Sequence, residues 1–245
     1  MKVALFIPCY IDQFYPQVAV ASLELLRHLG VEVHYPKDQT CCGQPMANSG
    51  FEKQAIATAN HMVDQFADYD YVVGPSGSCI YHIRKHYDIL EQREEVIAVR
   101  ERSYELCQFL TDVLKVEDVG ARFAERVGLH QSCHGLRGLR QGRSSERMIA
   151  DFSLQKRLLE KVNGLELVDL QREDECCGFG GTFAVSEAAV SVRMGQDRLS
   201  DHGQASAEVI TGGDMSCLMH LEGIAKREKR PFRFLHIAEI LNSRV

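Results

Sequence analysis

The chain has 245 residues, enough for one large domain or two small ones, and its 45% hydrophobic and 25% charged content is ordinary for a globular protein. With 28 Lys and Arg against 34 Asp and Glu, the formal net charge is −6, which argues against nucleic acid or an anionic membrane as partner. No apolar run reaches the ~18 residues of a membrane span, and MKVALFIPCY turns polar too soon for a signal peptide, so a cytoplasmic protein is expected.

Short apolar runs alternate with helical patterns through the first half of the chain. Strands are predicted at residues 3–7, 31–35 and 71–74. After the first strand, apolar residues recur with the spacing of a buried helical stripe, in Ala19, Leu23, Leu26 and Leu29. Gly30 suits the end of that helix, and further helices are predicted over residues 50–66 and after Cys79.

The second half shows the same alternation. Strands are predicted near residues 126–130, 165–170 and 208–211, and helices near residues 144–161, 186–199 and 218–229. Strands separated by helical patterns indicate βαβ units with a parallel sheet. The predicted fold class is therefore α/β, with a parallel sheet and flanking helices in each half.

Eight of the nine cysteines are arranged in the same order in both halves. A single Cys is followed by a Cys-Cys-Gly and then by another single Cys, first in Cys9, Cys41-Cys42-Gly43 and Cys79, and again in Cys133, Cys176-Cys177-Gly178 and Cys217. The surrounding blocks align as well: VALFIPCY with RVGLHQSCH, GVEVHYPKDQTCCG with GLELVDLQREDECCG, and DYDYVVGPSGSC with ASAEVITGGDMSC. We therefore expect two pseudo-symmetric repeats, residues 1–120 and 121–245.

Each of these cysteines follows shortly after a predicted strand. Because parallel strands bring their carboxyl ends to one edge of a sheet, the cysteines of each half are expected to converge there. Four thiols in a reducing compartment can hold zinc or an iron–sulfur cluster. Adjacent side chains on extended backbone point apart, so the two Cys-Cys pairs favour a body wider than one ion, namely a cluster. Zinc in a non-redox assembly module, direct thiol–disulfide chemistry and inert buried cysteines are the alternatives.

The motifs resemble the cysteine-rich CCG domain family, to which one component of heterodisulfide reductase belongs. The matching segments are LFIPCYIDQFYP, TCCGQPMANSG, LHQSCHGLRGL, ECCGFGGTFAV and GDMSCLMHLEG. The chain is most similar to the stand-alone two-motif members of the lactate-utilization type. The resemblance implies one or two iron–sulfur clusters, of the 4Fe-4S type, in an electron-transfer subunit. Such a protein works with two partner proteins in oxidising L-lactate to pyruvate and is not a complete enzyme.

The chain departs from the fuller pattern of this family at two positions. Heterodisulfide reductase-type motifs close with Cys-x-x-Cys and so supply a fifth thiolate, but here Ser76 and Asp214 occupy the first of those positions. The departure argues against an enlarged non-cubane cluster and its thiol–disulfide chemistry. A four-thiolate cluster remains, with Asp214 as a conceivable oxygen ligand. The expected ligand sets are Cys9, Cys41, Cys42 and Cys79, and Cys133, Cys176, Cys177 and Cys217.

Glycines that accompany both pairs are candidate cofactor-binding residues. Backbone without a Cβ atom can fold closely around a cluster and direct N–H groups at its sulfur atoms. The residues with this expected role are Gly43, Gly178, Gly180 and Gly181. A strand-to-helix turn is the alternative interpretation of the same glycines.

Basic and imidazole side chains next to the second-half cysteines also have two interpretations. Arg137 is a candidate cofactor-binding residue, since it and Arg140 could offset the charge of a thiolate-bound cluster or bind a substrate carboxylate, or could simply be solvated. His134 and His220 could be ligands, proton carriers or hydrogen-bonding residues. Cys107 has no counterpart in the other half and is predicted to lie in the core, within an apolar helix.

Overall fold

The computed structural model describes residues 1–244, and within this range the chain forms two parallel sheets of four strands each. The first sheet has the order β2-β1-β3-β4 and the second the order β6-β5-β7-β8, so the same topology is used twice. The strands of the first sheet are β1 (Val3–Leu5), β2 (Val33–His34), β3 (Tyr71–Gly74) and β4 (Ser103–Glu105). Those of the second are β5 (Arg126–Leu129), β6 (Glu166–Leu167), β7 (Val209–Gly212) and β8 (Arg233–His236).

Helices connect the strands and cover the sheets. The first half contains α1 (Cys9–Phe14), α2 (Pro16–His28), α3 (Gln44–Asn48), α4 (Glu52–Phe66), α5 (Gly77–His86), a 3-10 turn (Tyr87–Ile89), α6 (Glu94–Arg102), α7 (Leu106–Gln108) and a π-helical turn (Phe109–Val113). The second contains a π-helical turn (His134–Gly138), α8 (Leu154–Leu159), α9 (Phe183–Ser186), α10 (Ala188–Gln204), α11 (Met215–Arg227) and α12 (Ile237–Leu241). The predicted α/β class with a parallel sheet and flanking helices in each half is confirmed.

The central strands are buried because helices cover both faces of each sheet. β1 is buried at all three positions and β7 at all four, as expected for a parallel sheet with helices on both sides. Val3 pairs in parallel with Val33 on one side and with Tyr71 on the other. The carboxyl ends of the strands therefore lie along one edge of each sheet, and the loops that leave this edge carry the cysteines.

The predicted stripe of α2 differs from the observed one. Val18, Leu25 and Leu26 are completely buried, whereas Ala19 and Leu23 are only partly buried and lie at the margin of the same core. The helix also packs against α12 of the second half, so its apolar surface is wider than one stripe. The helix ends at His28, and Gly30 follows in the left-handed region with φ of 78°.

The helix predicted over residues 144–161 is wrong for its first ten residues. Only α8 is helical in this region. Ser153, the N-cap residue just before it, accepts the Lys156 N–H with its hydroxyl at 3.2 Å. The segment before it turns back on itself instead, because Gly142 and Ser153 form an antiparallel bridge and Arg143 N–H donates to Phe152 O. These tertiary hydrogen bonds outcompete a local helical pattern.

Both sheets end in a strand that was not predicted. β4 and β8 have three and four residues, too few for a period-two pattern to stand out. The apolar helix predicted around Cys107 consequently begins as strand β4 and continues as α7 and a π-helical turn. Cys107 itself is completely buried in the core, as predicted.

The two halves meet at the edges that carry the cysteines. Ser76 and Asp214 form an antiparallel β-bridge, and Gly77 N–H donates to Gly213 O at 3.2 Å. The helix α5 packs on the π-helical turn His134–Gly138. Gly138 is required at this crossing, since a Cβ there would lie 2.6 Å from the Tyr81 ring. The interface thus places the two cysteine-bearing edges face to face.

Candidate metal centres

Eight of the nine cysteines line a single cavity of about 500 Å³ between the two halves. They are the eight predicted as metal ligands: Cys9, Cys41, Cys42, Cys79, Cys133, Cys176, Cys177 and Cys217. All nine cysteines of the chain lie in the described region, and all are free thiols. The topology therefore brings together residues that are distant in sequence, and it brings both sets to one cavity.

Three elements position the four thiols of the first half. Cys9 begins α1 shortly after β1, Cys41 and Cys42 lie in the loop before α3, and Cys79 is in the first turn of α5. The Sγ atoms of Cys9 and Cys41 are 3.8 Å apart. Cys42 is in hydrogen-bond contact with both Cys41 and Cys79, so the four thiols form one continuous chain. Cys42 and Cys79 are buried, and the other two are half-buried.

The second half repeats this arrangement with equivalent elements. Cys133 lies after β5, Cys176 and Cys177 lie in the loop after β6, and Cys217 is in the first turn of α11. Cys176 is in contact with Cys133 and Cys177, and Cys177 is in contact with Cys217. Cys177 and Cys217 are buried. Two sets of four thiols are therefore built in the same way.

One thiol in each set ionises far more readily than an ordinary cysteine. Hydrogen bonds from Cys42 and then Cys9 lower the pKa of Cys41 to about 3. Hydrogen bonds from Cys133 and Cys177 lower the pKa of Cys176 to about 2. The pKa of Cys42 is raised, because its thiol donates to Cys41 and lies fully buried. Soft metals bind the thiolate form of cysteine, so a group of thiols with an ionised member is suited to binding one.

The glycine of each Cys-Cys-Gly motif turns its backbone N–H toward sulfur. Gly43 N–H donates to Cys41 Sγ and Gly178 N–H donates to Cys176 Sγ, each at 3.4 Å. Both glycines are in the left-handed region, with φ of 87° and 89°. A Cβ on Gly178 would also lie 2.5 Å from Ser191 O. Gly180 and Gly181 line the cavity, with φ of 53° and 66°.

Arg137 does not line the cavity and is held by acidic side chains. Its guanidinium pairs with Glu146 at 3.0 Å and with Asp174 at 2.8 Å. Arg140 lies outside the π-helical turn that contains Arg137 and is exposed. His134 lines the cavity, whereas His220 places Nε2 3.3 Å from Ser191 O.

Ser76 and Asp214 connect the two halves. The Asp214 carboxylate accepts hydrogen bonds from Ser78 N–H at 2.8 Å, from Ser78 Oγ at 3.1 Å and from Ser216 Oγ at 3.0 Å. Ser76 Oγ donates to Asp214 at 3.4 Å and accepts the Cys79 N–H at 3.3 Å as the N-cap of α5. The two positions that depart from Cys-x-x-Cys are thus bonded to each other across the interface.

Sequence reasoning missed two histidines. His82 is buried, three residues after Cys79 as His220 is after Cys217, and its imidazole interacts with Cys41. The internal repeat carried this signal, because the two Cys-x-x-His segments align. His130 is 1% exposed and has a ring nitrogen within 4.8 Å of the Sγ atoms of Cys177 and Cys217. Its counterpart in the repeat is Phe6, so the alignment concealed it.

The donor sets fit a soft or borderline metal. Thiolates select zinc, copper(I) and iron–sulfur clusters over magnesium or calcium, which require oxygen ligands. The one carboxylate that lines the cavity, Asp214, is already engaged by hydroxyl and N–H groups. Free thiols at contact distance, one ionised member per set and N–H donors to sulfur are consistent with either zinc or a cluster.

No helix among residues 1–244 combines the length and the apolar character that crossing a bilayer demands.

Comparison with known proteins gives strong full-length matches. A model of the CCG family, described as a cysteine-rich domain, matches residues 3–84 and 127–222. Lactate utilization protein A of Geobacillus kaustophilus (strain HTA426) is 45% identical over 248 residues, with 100% of both chains covered. The protein of the same name from Geobacillus thermodenitrificans (strain NG80-2) is 43% identical, also over 100% of both chains.

Among solved structures, glutamate racemase isoform RacE1 from Bacillus anthracis gives a TM-score of 0.38 at 11% identity, covering 98% of this chain and 78% of that one.

The repeated Cys-Cys-Gly loops, the doubled sheet and the two matched segments of the family model agree with one another. The chain belongs to the CCG cysteine-rich domain family.

Proposed function

We propose that this chain is an iron–sulfur electron-transfer subunit of a multi-protein system that oxidises L-lactate to pyruvate. The observation that carries the proposal is the convergence of two equivalent sets of four thiols on one cavity. The lactate-utilization part rests on relatives of that name, which match the whole chain at 43% and 45% identity. The proposed ligands are the eight cysteines that line the cavity.

A cluster, when bound, supplies reversible one-electron transfer at each site. The chain's own residues hold it and set its properties. The thiolates bind iron, Gly43 and Gly178 direct N–H groups at sulfur and so favour the reduced form, and the buried surroundings limit contact with water. A protein of this design stores and passes electrons, and the dehydrogenation itself belongs to a partner that binds the lactate.

The Cys-Cys pairs support a cluster over a single ion. Cys41 contacts Cys9 and Cys42 contacts Cys79, in addition to the contact between Cys41 and Cys42, so the adjacent pair lies in the middle of a line of four thiols. Zinc sites of four cysteines are commonly built from tight Cys-x-x-Cys loops around one ion.

One distance favours a second candidate, a zinc-stabilised assembly module. The Cys9–Cys41 separation of 3.8 Å is the edge of a tetrahedron of sulfur atoms around zinc at a bond length of about 2.3 Å. Such a module would use the same thiols without a redox role. The two candidates make opposite spectroscopic predictions, because zinc has a filled d shell.

The test is anaerobic purification followed by metal, sulfide and spectroscopic analysis of the same sample. The proposal predicts iron and acid-labile sulfide in comparable amounts, visible absorbance near ~400 nm and an EPR signal in at least one oxidation state. A colourless protein with stoichiometric zinc would support the assembly module instead. Lactate-dependent reduction of the clusters in the presence of partner proteins would test the position in the electron path.

A further inference from the structure

Phe6 and His130 occupy the same place in the two halves. Each follows the first strand of its sheet, and each donates its backbone N–H to the adjacent central strand: Phe6 to Val73 O at 2.9 Å and His130 to Thr211 O at 2.7 Å. A glycine lies opposite each carbonyl. A Cβ on Gly74 would lie 3.1 Å from Phe6 O, and one on Gly212 would lie 2.6 Å from His130 O. The halves therefore differ here in side chain and not in backbone.

The side chains have different surroundings. Phe6 packs edge-on against Phe66, with ring centroids 5.8 Å apart, in an apolar cluster that includes Cys42 and Cys79. His130 is 1% exposed and has a ring nitrogen within 4.8 Å of the Sγ atoms of Cys177 and Cys217. Neither ring nitrogen has a hydrogen-bond partner among the described residues. A buried imidazole without partners costs free energy, because its polar nitrogens have given up water without a replacement.

His130 is in position to offer a ring nitrogen to a metal held by these cysteines. A neutral imidazole retains a lone pair that can bind a metal ion, and its affinity for borderline metals is high.

We propose that His130 is a nitrogen ligand of the second metal centre and takes the place of one of its four thiolates, so that this centre has mixed imidazole and thiolate ligation whereas the first has thiolates alone. The inference rests on the proposed function, since the metal is taken to be iron of an iron–sulfur cluster. Imidazole ligation brings no negative charge, and where it replaces thiolate it raises the reduction potential of a cluster. The second centre is therefore the more easily reduced of the two.

The test isolates the second centre and looks for bound nitrogen. In a Cys42→Ser background, which removes a ligand of the first centre, the reduced protein is examined by pulsed EPR with and without ¹⁵N-histidine labelling. The result expected is a strong nitrogen coupling of a directly bound imidazole, which changes on labelling and is lost in His130→Phe. The reduction potential of the second centre should shift to a lower value in the same variant.

Two further variants keep the result interpretable. His130→Gln preserves polarity and should also lose the coupling, which covers the case in which the larger apolar ring prevents folding. His220→Gln should retain the coupling, because His220 directs Nε2 at Ser191 O. A second-centre EPR signal without nitrogen coupling, or with only the weak coupling of a hydrogen bond to sulfur, would overturn this inference and leave the proposed function intact. Absence of iron and sulfide from the unmodified protein would overturn both.

Discussion

At the scale of single residues, the two Cys-Cys-Gly motifs make the chemistry possible. The glycine has a φ near 90° that other residues rarely adopt, and its N–H donates to the first thiol of the pair, two residues earlier. The ionised member of each set, Cys41 or Cys176, accepts that hydrogen bond as well as those of its neighbours. A short motif thus combines two thiols with a backbone donor that stabilises negative charge on sulfur.

We predict that Cys42→Ser removes the first centre and spares the second. The serine hydroxyl is a poor ligand for soft metals, so total iron should fall by about half. The measurement is iron and acid-labile sulfide per chain after anaerobic reconstitution. Cys107→Ala is the matched control, since Cys107 is also completely buried but lies in the core outside both sets. Equal iron in the two variants would contradict the assignment of Cys42.

At the scale of secondary-structure elements, the ends of strands and the starts of helices do most of the positioning. Cys79 and Cys217 lie in the first turns of α5 and α11, directly after β3 and β7, so each helix begins at the cavity. The residues that precede them, Ser76 and Asp214, use their side chains to join α5 to the opposite half. The same short segments therefore build the sites and the interface between them.

Asp214→Ala should destabilise the protein through that interface. Asp214 is 3% exposed, and its loss leaves the Ser78 N–H and hydroxyl without their acceptor, at a cost of about 2–4 kcal/mol. Urea unfolding of the metal-free protein measures the effect. Asp169→Ala is the control, because Asp169 is 92% exposed in its pair with Lys156 and should change the unfolding free energy by less than about 0.5 kcal/mol. Similar midpoints for both variants would refute this role of Asp214.

A buried carboxyl at the end of β4 makes stability depend on pH. Burial raises the pKa of Glu105 from 4.5 to about 7, although hydrogen bonds from Gln108, Gln141 and Cys107 oppose the shift. The folded state therefore holds this proton more tightly than the unfolded state. The resulting stabilisation is complete below pH 4.5 and is lost as the pH rises through about 7.

Glu105→Gln isolates this contribution from other titrating groups. The amide can still accept the hydrogen bonds of Cys107 and Gln141 but does not ionise. Relative to the variant, the unmodified protein should lose about 3 kcal/mol of unfolding free energy between pH 4.5 and pH 8. The measurement is the difference between the two denaturation profiles over that range. A difference that does not vary with pH would show that Glu105 is not the titrating group.

At the scale of the whole molecule, the repeat produces two sets of four thiols instead of one. Each half has the same sheet order and the same three cysteine-bearing loops, and the interface places both sets around one cavity. The halves are nevertheless inequivalent, because the position that Phe6 occupies in the first half is occupied by His130, next to the second set of thiols, in the other. Two nearby centres of different potential would give electrons a preferred direction through the molecule.

Metal removal should lower thermal stability without unfolding the protein at room temperature. A metal that binds only the folded state stabilises it by mass action, whereas the large buried core persists when the metal is removed. We expect unchanged far-ultraviolet circular dichroism at 25 °C and a lower Tm after chelation, reversed by anaerobic reconstitution. A Tm that is the same with and without metal would contradict binding at these cysteines.

Some secondary-structure elements could be predicted from the sequence, and others could not. The α/β class and helix α4 follow from hydrophobic patterns that span many residues, and the structure confirms them. The strands β4 and β8 were not predicted, and the helix predicted over the irregular segment before α8 was wrong. In each of these cases hydrogen bonds between distant residues determine the conformation of a short segment, such as the one from Arg143 N–H to Phe152 O. A local sequence pattern carries no information about such bonds.

The sequence by itself determined which residues can bind metal, since the types, order and repetition of the cysteines are written in the chain. It also predicted that each set would converge, because parallel strands have a common carboxyl edge. Only the tertiary structure decided that both sets meet at one cavity, that Asp214 joins the halves, and that His130 faces Cys177 and Cys217. These outcomes depend on how the two halves pack and where side chains point, and those are properties of long-range contacts.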